Sequence, residues 1–135
     1  MDGYSKTPLV KKLGIKPGDR LLILNEPENY GDLIGNWPEE ISHFSMEEAN
    51  EMDFIHFFTQ EMAELEITFP LLKNILRKGG RLWISWSKGK STLPKDLNGN
   101  DVRSVGLAHG LVDVKVCSVD ENWSGLKFMY RIKDR

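Results

Sequence analysis

The chain has 135 residues, 40% of them hydrophobic and 28% charged, with a formal net charge of −2; this is enough for one domain over residues 1–135, without the basic excess that nucleic acid recruits. No apolar run reaches the roughly 20 residues of a membrane helix, and the opening MDGYSKTPLVKKLG has no apolar stretch followed by a small-residue cleavage site. Cys117 is the only cysteine, which excludes an intramolecular disulfide and a multi-cysteine zinc site and fits the reducing cytoplasm.

Thr7-Pro8 reads as a helix start, with the threonine hydroxyl as cap and proline at the first helical position. Gly14 closes that helix as a left-handed residue, and Lys16-Pro17-Gly18-Asp19 makes a turn. Leu21-Leu22-Ile23-Leu24 is apolar on both faces, the pattern of a central parallel strand covered by helices on each side. Residues 30–37 form a short helix or turn, and a weak second strand lies around residues 41–44. MDFIHFF at residues 52–58 is a third, buried strand.

A helix follows over residues 60–77, because Met62, Leu65, Phe69, Leu72 and Leu76 form one apolar stripe. Pro70 should kink or restart it near Thr68. Gly79-Gly80 ends it, and residues 81–86 make the fourth strand, the third that is buried. A polar loop occupies 88–99, and a helix over 100–110 carries an internal Gly106. Val112, Val114 and Val116 alternate with polar residues, as do Leu126, Phe128, Tyr130 and Ile132. These are two half-buried strands of an antiparallel hairpin with its loop at 120–125. Strands alternating with helices and closing on a hairpin give a three-layer α/β/α sandwich with a mostly parallel sheet.

The strings KPGDRLLIL, MDFIHFF and LLKNILRKGGRLWISW resemble stretches of class I S-adenosylmethionine-dependent methyltransferases. YSKTPLVKKLGIKPGDR and VDVKVCSVDENWSGLK resemble, more specifically, a family of small bacterial domains of unknown function. The resemblance implies a shortened Rossmann-like fold with strand order 2-1-3-4-6-5, only the last strand of the chain running antiparallel. It also sets up three departures. The methyltransferase first strand runs into a G-x-G-x-G loop, whereas Asn25-Glu26-Pro27-Glu28-Asn29-Tyr30 has no glycine. The acidic residue that ends the second strand there has no match before Glu47 and Glu48. The acceptor-site tetrapeptide is replaced by Thr59-Gln60-Glu61. These departures argue for no cofactor, with S-adenosylmethionine disfavoured.

In open α/β sheets ligands bind beyond the carboxyl ends of the parallel strands. Here those ends are residues 25–30, 59–61 and 87–90. Asn25, Glu26 and Tyr30 can supply acceptors and a stacking face, or simply form a solvated turn. Thr59 belongs to the same edge. Ser87, Lys88 and Lys90 can form an anion-binding loop, although SKGKS lacks P-loop spacing, or be plain exposed loop. Trp123, in a turn, is either an interaction anchor or a cap on the core. His56, inside a buried strand, reads as a satisfied core histidine. His43 and His109 lack partners at metal spacing, and no serine lies in a G-x-S-x-G elbow. With no nucleophile, base and orienter to assemble, the chain reads as a non-catalytic cytoplasmic module. It would bind a protein partner or small molecule at the strand edge, without nucleic acid or membrane. The alternative is a divergent methyltransferase-like or nucleotide-binding enzyme. A deep pocket beside Asn25 would favour the enzyme, and an exposed Trp123 the binding module.

Overall fold

A computed structural model describes residues 7–89 and 96–135. The elements are α1 (Leu9–Leu13), β1 (Arg20–Leu24), α2 (Tyr30–Ile34), β2 (Ser42–His43), β3 (Met52–Phe58), α3 (Met62–Ile75), β4 (Leu76–Ser87), α4 (Gly99–Ala108), β5 (Leu111–Ser118) and β6 (Trp123–Tyr130), followed by a 3₁₀ turn at Ile132–Asp134. The sheet has six strands in the order β2-β1-β3-β4-β6-β5, as the resemblance implies. β1, β2, β3 and β4 pair in parallel, and β6 runs antiparallel to both β4 and β5.

Successive residues of the central strands enter different cores, which is what a three-layer sandwich demands. Leu22, Ile55, Phe57, Leu82 and Ile84 pack with Leu65, Phe69 and Leu72 of α3 and Val102 and Val105 of α4. Leu21, Phe54, Phe58 and Trp83 pack with Leu9 and Leu13 of α1 and Tyr30 and Ile34 of α2. Among the described residues no helix is long and apolar enough to cross a membrane.

The amino-terminal end of the sheet is fastened by a buried ion pair. Arg81 donates to the Asp19 carboxylate and, at 2.6 Å, to the Gly14 carbonyl. Asp19 also accepts the Lys16 amide at 2.9 Å, closing the expected turn. Trp83 Nε1 donates to the Leu13 carbonyl at 2.7 Å, so α1 is tied to the middle of the sheet.

Several local expectations are corrected. The N-cap of α1 is Pro8, not Thr7. α3 continues through Pro70 without a break and ends at Ile75, before the glycine pair. Leu76 already pairs with Met52, and the chain inserts extra residues before Arg81 pairs with Phe54. Gly80 is required inside that irregularity, since a Cβ there would lie 2.8 Å from the Met52 carbonyl. α4 starts at Gly99 behind a reciprocal cap in which Asn98 and Asp101 each accept the other's amide at 3.0 Å. Gly106 lies against the Phe128 ring, where a Cβ would approach ring carbons to 2.0 Å. β6 begins at Trp123 rather than beyond it, because Asp120 Oδ1 accepts the amides of Asn122 and Trp123 and tightens the turn. In β5 a bulge between Asp113 and Lys115 shifts the register by one residue. The valine alternation therefore breaks, and Val114 and Val116 are exposed.

Candidate functional site

The carboxyl ends of β1 and β3 meet the first turn of α3, and three side chains converge there. Asn25 leaves β1 with φ of 58°, the left-handed conformation that glycine usually supplies and that asparagine tolerates. Its Nδ2 donates to the Phe58 carbonyl at 3.2 Å and to Glu64 Oε2 at 3.3 Å. Thr59 Oγ1 donates to Glu64 Oε1 at 2.6 Å, and the Thr59 amide donates to the Ser85 carbonyl at 2.9 Å. One carboxylate thus joins two strand ends, and its position in the first turn of α3 suits the helix dipole. Glu26 and Glu28 are exposed in the loop that follows Asn25. Their backbone N–H groups make no hydrogen bond among the described residues.

Glu64 is the residue that sequence reasoning missed. It was legible only as one acid on the outer face of a helix. The signal was its place five residues after Thr59, one helical turn beyond a strand end. Asp96 was missed as well. Its Oδ1 accepts the Met62 amide at 2.6 Å and its own amide donates to the Gln60 carbonyl at 2.9 Å, so it closes the start of α3.

The other expected residues go elsewhere. Tyr30 is only 3% exposed, so its ring offers no open stacking face. Its hydroxyl bonds His56 Nδ1 at 2.9 Å, and His56 Nε2 bonds Ser85 Oγ at 2.7 Å. Two hydroxyls, each able to donate or accept, satisfy either neutral tautomer of the ring. Burial pushes the His56 pKa down to about 3, and burial, with Glu26 adding to it, pushes Tyr30 up. The histidine is therefore a satisfied core residue, packed on Phe58 at 4.2 Å between ring centres. Ser87 is buried and pairs with Trp123 across β4 and β6. Trp123 is 9% exposed and meets Phe58 edge-on at 5.1 Å, capping the core rather than projecting from it. Lys88 turns toward the hairpin, its amide on the Asn122 carbonyl at 2.8 Å and its Nζ on Ser118 Oγ at 2.6 Å. Lys90 lies outside the described residues.

At the other side of β1 the sheet is short. β2 pairs only with Arg20 and Leu21, well before the carboxyl end of β1. Glu48 folds back on its own turn, accepting the Ser45 amide at 3.2 Å and hydroxyl at 3.0 Å. Among the described residues no group of three His, Cys, Asp or Glu side chains could hold a metal ion.

No family model matches the chain, and no curated protein matches it. Solved structures do match in fold. An S-adenosylmethionine-dependent methyltransferase from Aquifex aeolicus superposes with a TM-score of 0.67 at 14% identity, covering 91% of this chain and 88% of that one. Magnesium protoporphyrin IX methyltransferase from Synechocystis PCC 6803 with bound S-adenosylhomocysteine gives 0.59 at 8% identity, covering 91% and 78%. Aeropyrum pernix fibrillarin with natively bound S-adenosylmethionine gives 0.58 at 14% identity, covering 94% and 70%. These likenesses establish a Rossmann-like, methyltransferase-type fold. They also overturn the expectation of no cofactor with S-adenosylmethionine disfavoured, because proteins of this outline hold S-adenosylmethionine or its product. The physical error lay in equating a missing glycine with a missing turn: Asn25 makes the left-handed step itself.

Proposed function

We propose that this single-domain chain is a divergent S-adenosylmethionine-binding protein of the methyltransferase type, with its cofactor at the carboxyl ends of β1 and β3. The observation that carries the reading is the left-handed turn at Asn25, directly after β1. There the chain bends away and leaves the Glu26 and Glu28 amides as donors. The donor set fits such a ligand. Glu64 offers a carboxylate to an ammonium or to ribose hydroxyls, and Thr59 and Asn25 hold it at the edge. When bound, the cofactor would supply an electrophilic methyl group on a sulfonium. The chain's own residues orient it, while the Tyr30–His56–Ser85 relay stays buried behind the edge and keeps the wall rigid. A module that docks a partner through Trp123 has less support, since that ring lies within the core. The lone cysteine fits a reducing compartment, and we assign the protein to the cytoplasm.

Calorimetric titration with S-adenosylmethionine and S-adenosylhomocysteine tests the reading. Saturable binding is expected, with a rise in unfolding free energy of about 2.7 kcal/mol at ligand a hundredfold above Kd. Glu64→Gln should weaken binding about tenfold, the loss of one charge-assisted contact, while the circular dichroism spectrum stays native. No heat at two temperatures together with no thermal shift would overturn it.

A further inference from the structure

At the far edge of the sheet, four lysines gather around Ser118, the last residue of β5. Lys12 Nζ donates to the Ser118 carbonyl at 3.2 Å, and Lys88 Nζ donates to its hydroxyl at 2.6 Å. Lys115 Nζ reaches the Lys12 carbonyl at 3.4 Å. Lys11 and Lys12, with Thr7, Lys115, Cys117 and Ser118, line a cleft of about 400 Å³. Among the described residues, none of these four ammonium groups is paired with a carboxylate. Asp120, on the adjacent turn, uses Oδ1 to hold the amides of Asn122 and Trp123. Burial pushes the Cys117 thiol up, and Lys12, Lys115 and Lys88 act together against that push.

Like charges brought together without a counter-ion repel, and a chain with net charge −2 has acids enough elsewhere to have paired them. The ammonium groups of Lys12, Lys88 and Lys115 are each steered by a neutral oxygen that takes one of three donors and leaves the others for a ligand. We infer that this cleft binds the phosphate group of a small phosphorylated molecule. A doubly charged phosphate balances two ammonium groups, whereas a carboxylate would balance only one. The three lysines whose amines are anchored here come from α1, from the residue after β4 and from β5. Lys12 and Lys88 both bond Ser118 and Lys115 bonds the Lys12 carbonyl, a cluster that favours a compact anion over a polymer. Lys88, read from sequence as part of a loop with Lys90, contributes here instead.

The test is a titration of the full, isotope-labelled chain with inorganic phosphate and then pyrophosphate at constant ionic strength, read by amide chemical shifts. Saturable shifts confined to Thr7, Lys12, Lys88 and residues 115–118 are expected. In Lys12→Gln/Lys115→Gln, whose spectrum should otherwise remain native, affinity should fall at least about tenfold. Shifts that do not saturate, that chloride reproduces at equal ionic strength, or that persist in the double variant would overturn the assignment. So would tight, steeply salt-dependent binding of a single-stranded oligonucleotide without saturable phosphate binding, which would mark a polyanion surface instead.

Discussion

Replacing Gly106 by alanine should destabilise the protein, although the same change in an ordinary helix interior stabilises it. Alanine is favoured over glycine by about 0.8–1.0 kcal/mol in a helix. At Gly106 that gain meets the Phe128 ring, whose atoms would stand 2.0, 2.5 and 2.6 Å from the new methyl carbon. Phe128 is fully buried, and its ring is met edge-on by Phe69 at 5.4 Å, so it has no open side to move into. Either α4 lifts from the sheet or the ring leaves its rotamer, and overpacking of this kind costs about 1–3 kcal/mol. The clash is severe enough to place the cost at the upper end, for a net loss of about 1–2 kcal/mol. Urea unfolding followed by circular dichroism measures it, and Gly106→Ala in a Phe128→Leu background supplies the control. In that background the alanine should cost less, or stabilise. A Gly106→Ala variant at least as stable as the parent would refute the account of how α4 is seated.

Acid should weaken the fold through His56. Its pKa is held at about 3 by burial, below the ordinary value near 6.5, so the unfolded chain takes up the proton first. Stability is complete above about pH 6.5 and falls as pH drops toward 3, by at most about 1.4 kcal/mol per pH unit. His56→Gln should show a shallower slope between pH 6.5 and 4.5 in urea midpoints; parallel slopes would remove His56 from the explanation. Arg81→Met strands the Asp19 carboxylate in a buried setting and should cost about 3–5 kcal/mol, seen as a fall in the thermal midpoint. A fall no larger than that of an exposed lysine substitution would show that the pair contributes little.

The sheet was legible because its strands announce themselves. LLIL, MDFIHFF and the run ending in LWISW are apolar on both faces, which only a covered parallel sheet tolerates. What escaped depends on contacts across the fold. Gly106 weakens a helix by propensity, and only the Phe128 ring explains it. The bulge at Val114 inserts a residue that alternation cannot foresee. Asn98 and Asp101 could have been recognised as an N-x-x-D cap one turn before the apolar residues of α4. At the candidate site, Asn25 and Thr59 were legible as strand ends, since topology alone puts them there. Glu64 was not, because only its spacing from Thr59 sets it apart from the other charges of the helix. Tyr30 escaped, and Trp123 stayed open between anchor and cap, because turn-like neighbours say little about whether an aromatic ring folds inward.

The bulge in β5 has a consequence for how these molecules behave in a crowd. β5 ends the sheet, and it presents Val114 and Val116 to water, the latter 69% exposed. A straight, valine-rich border of this kind invites another chain to continue the hydrogen-bond ladder, and growth by repeated addition leads to fibrils. The extra residue puts the donors and acceptors of β5 out of step and bends the strand, and a charged residue, Lys115, separates the two valines in the chain. A defect in the pairing thus works as a gatekeeper, making the edge of the sheet a poorer template for another chain.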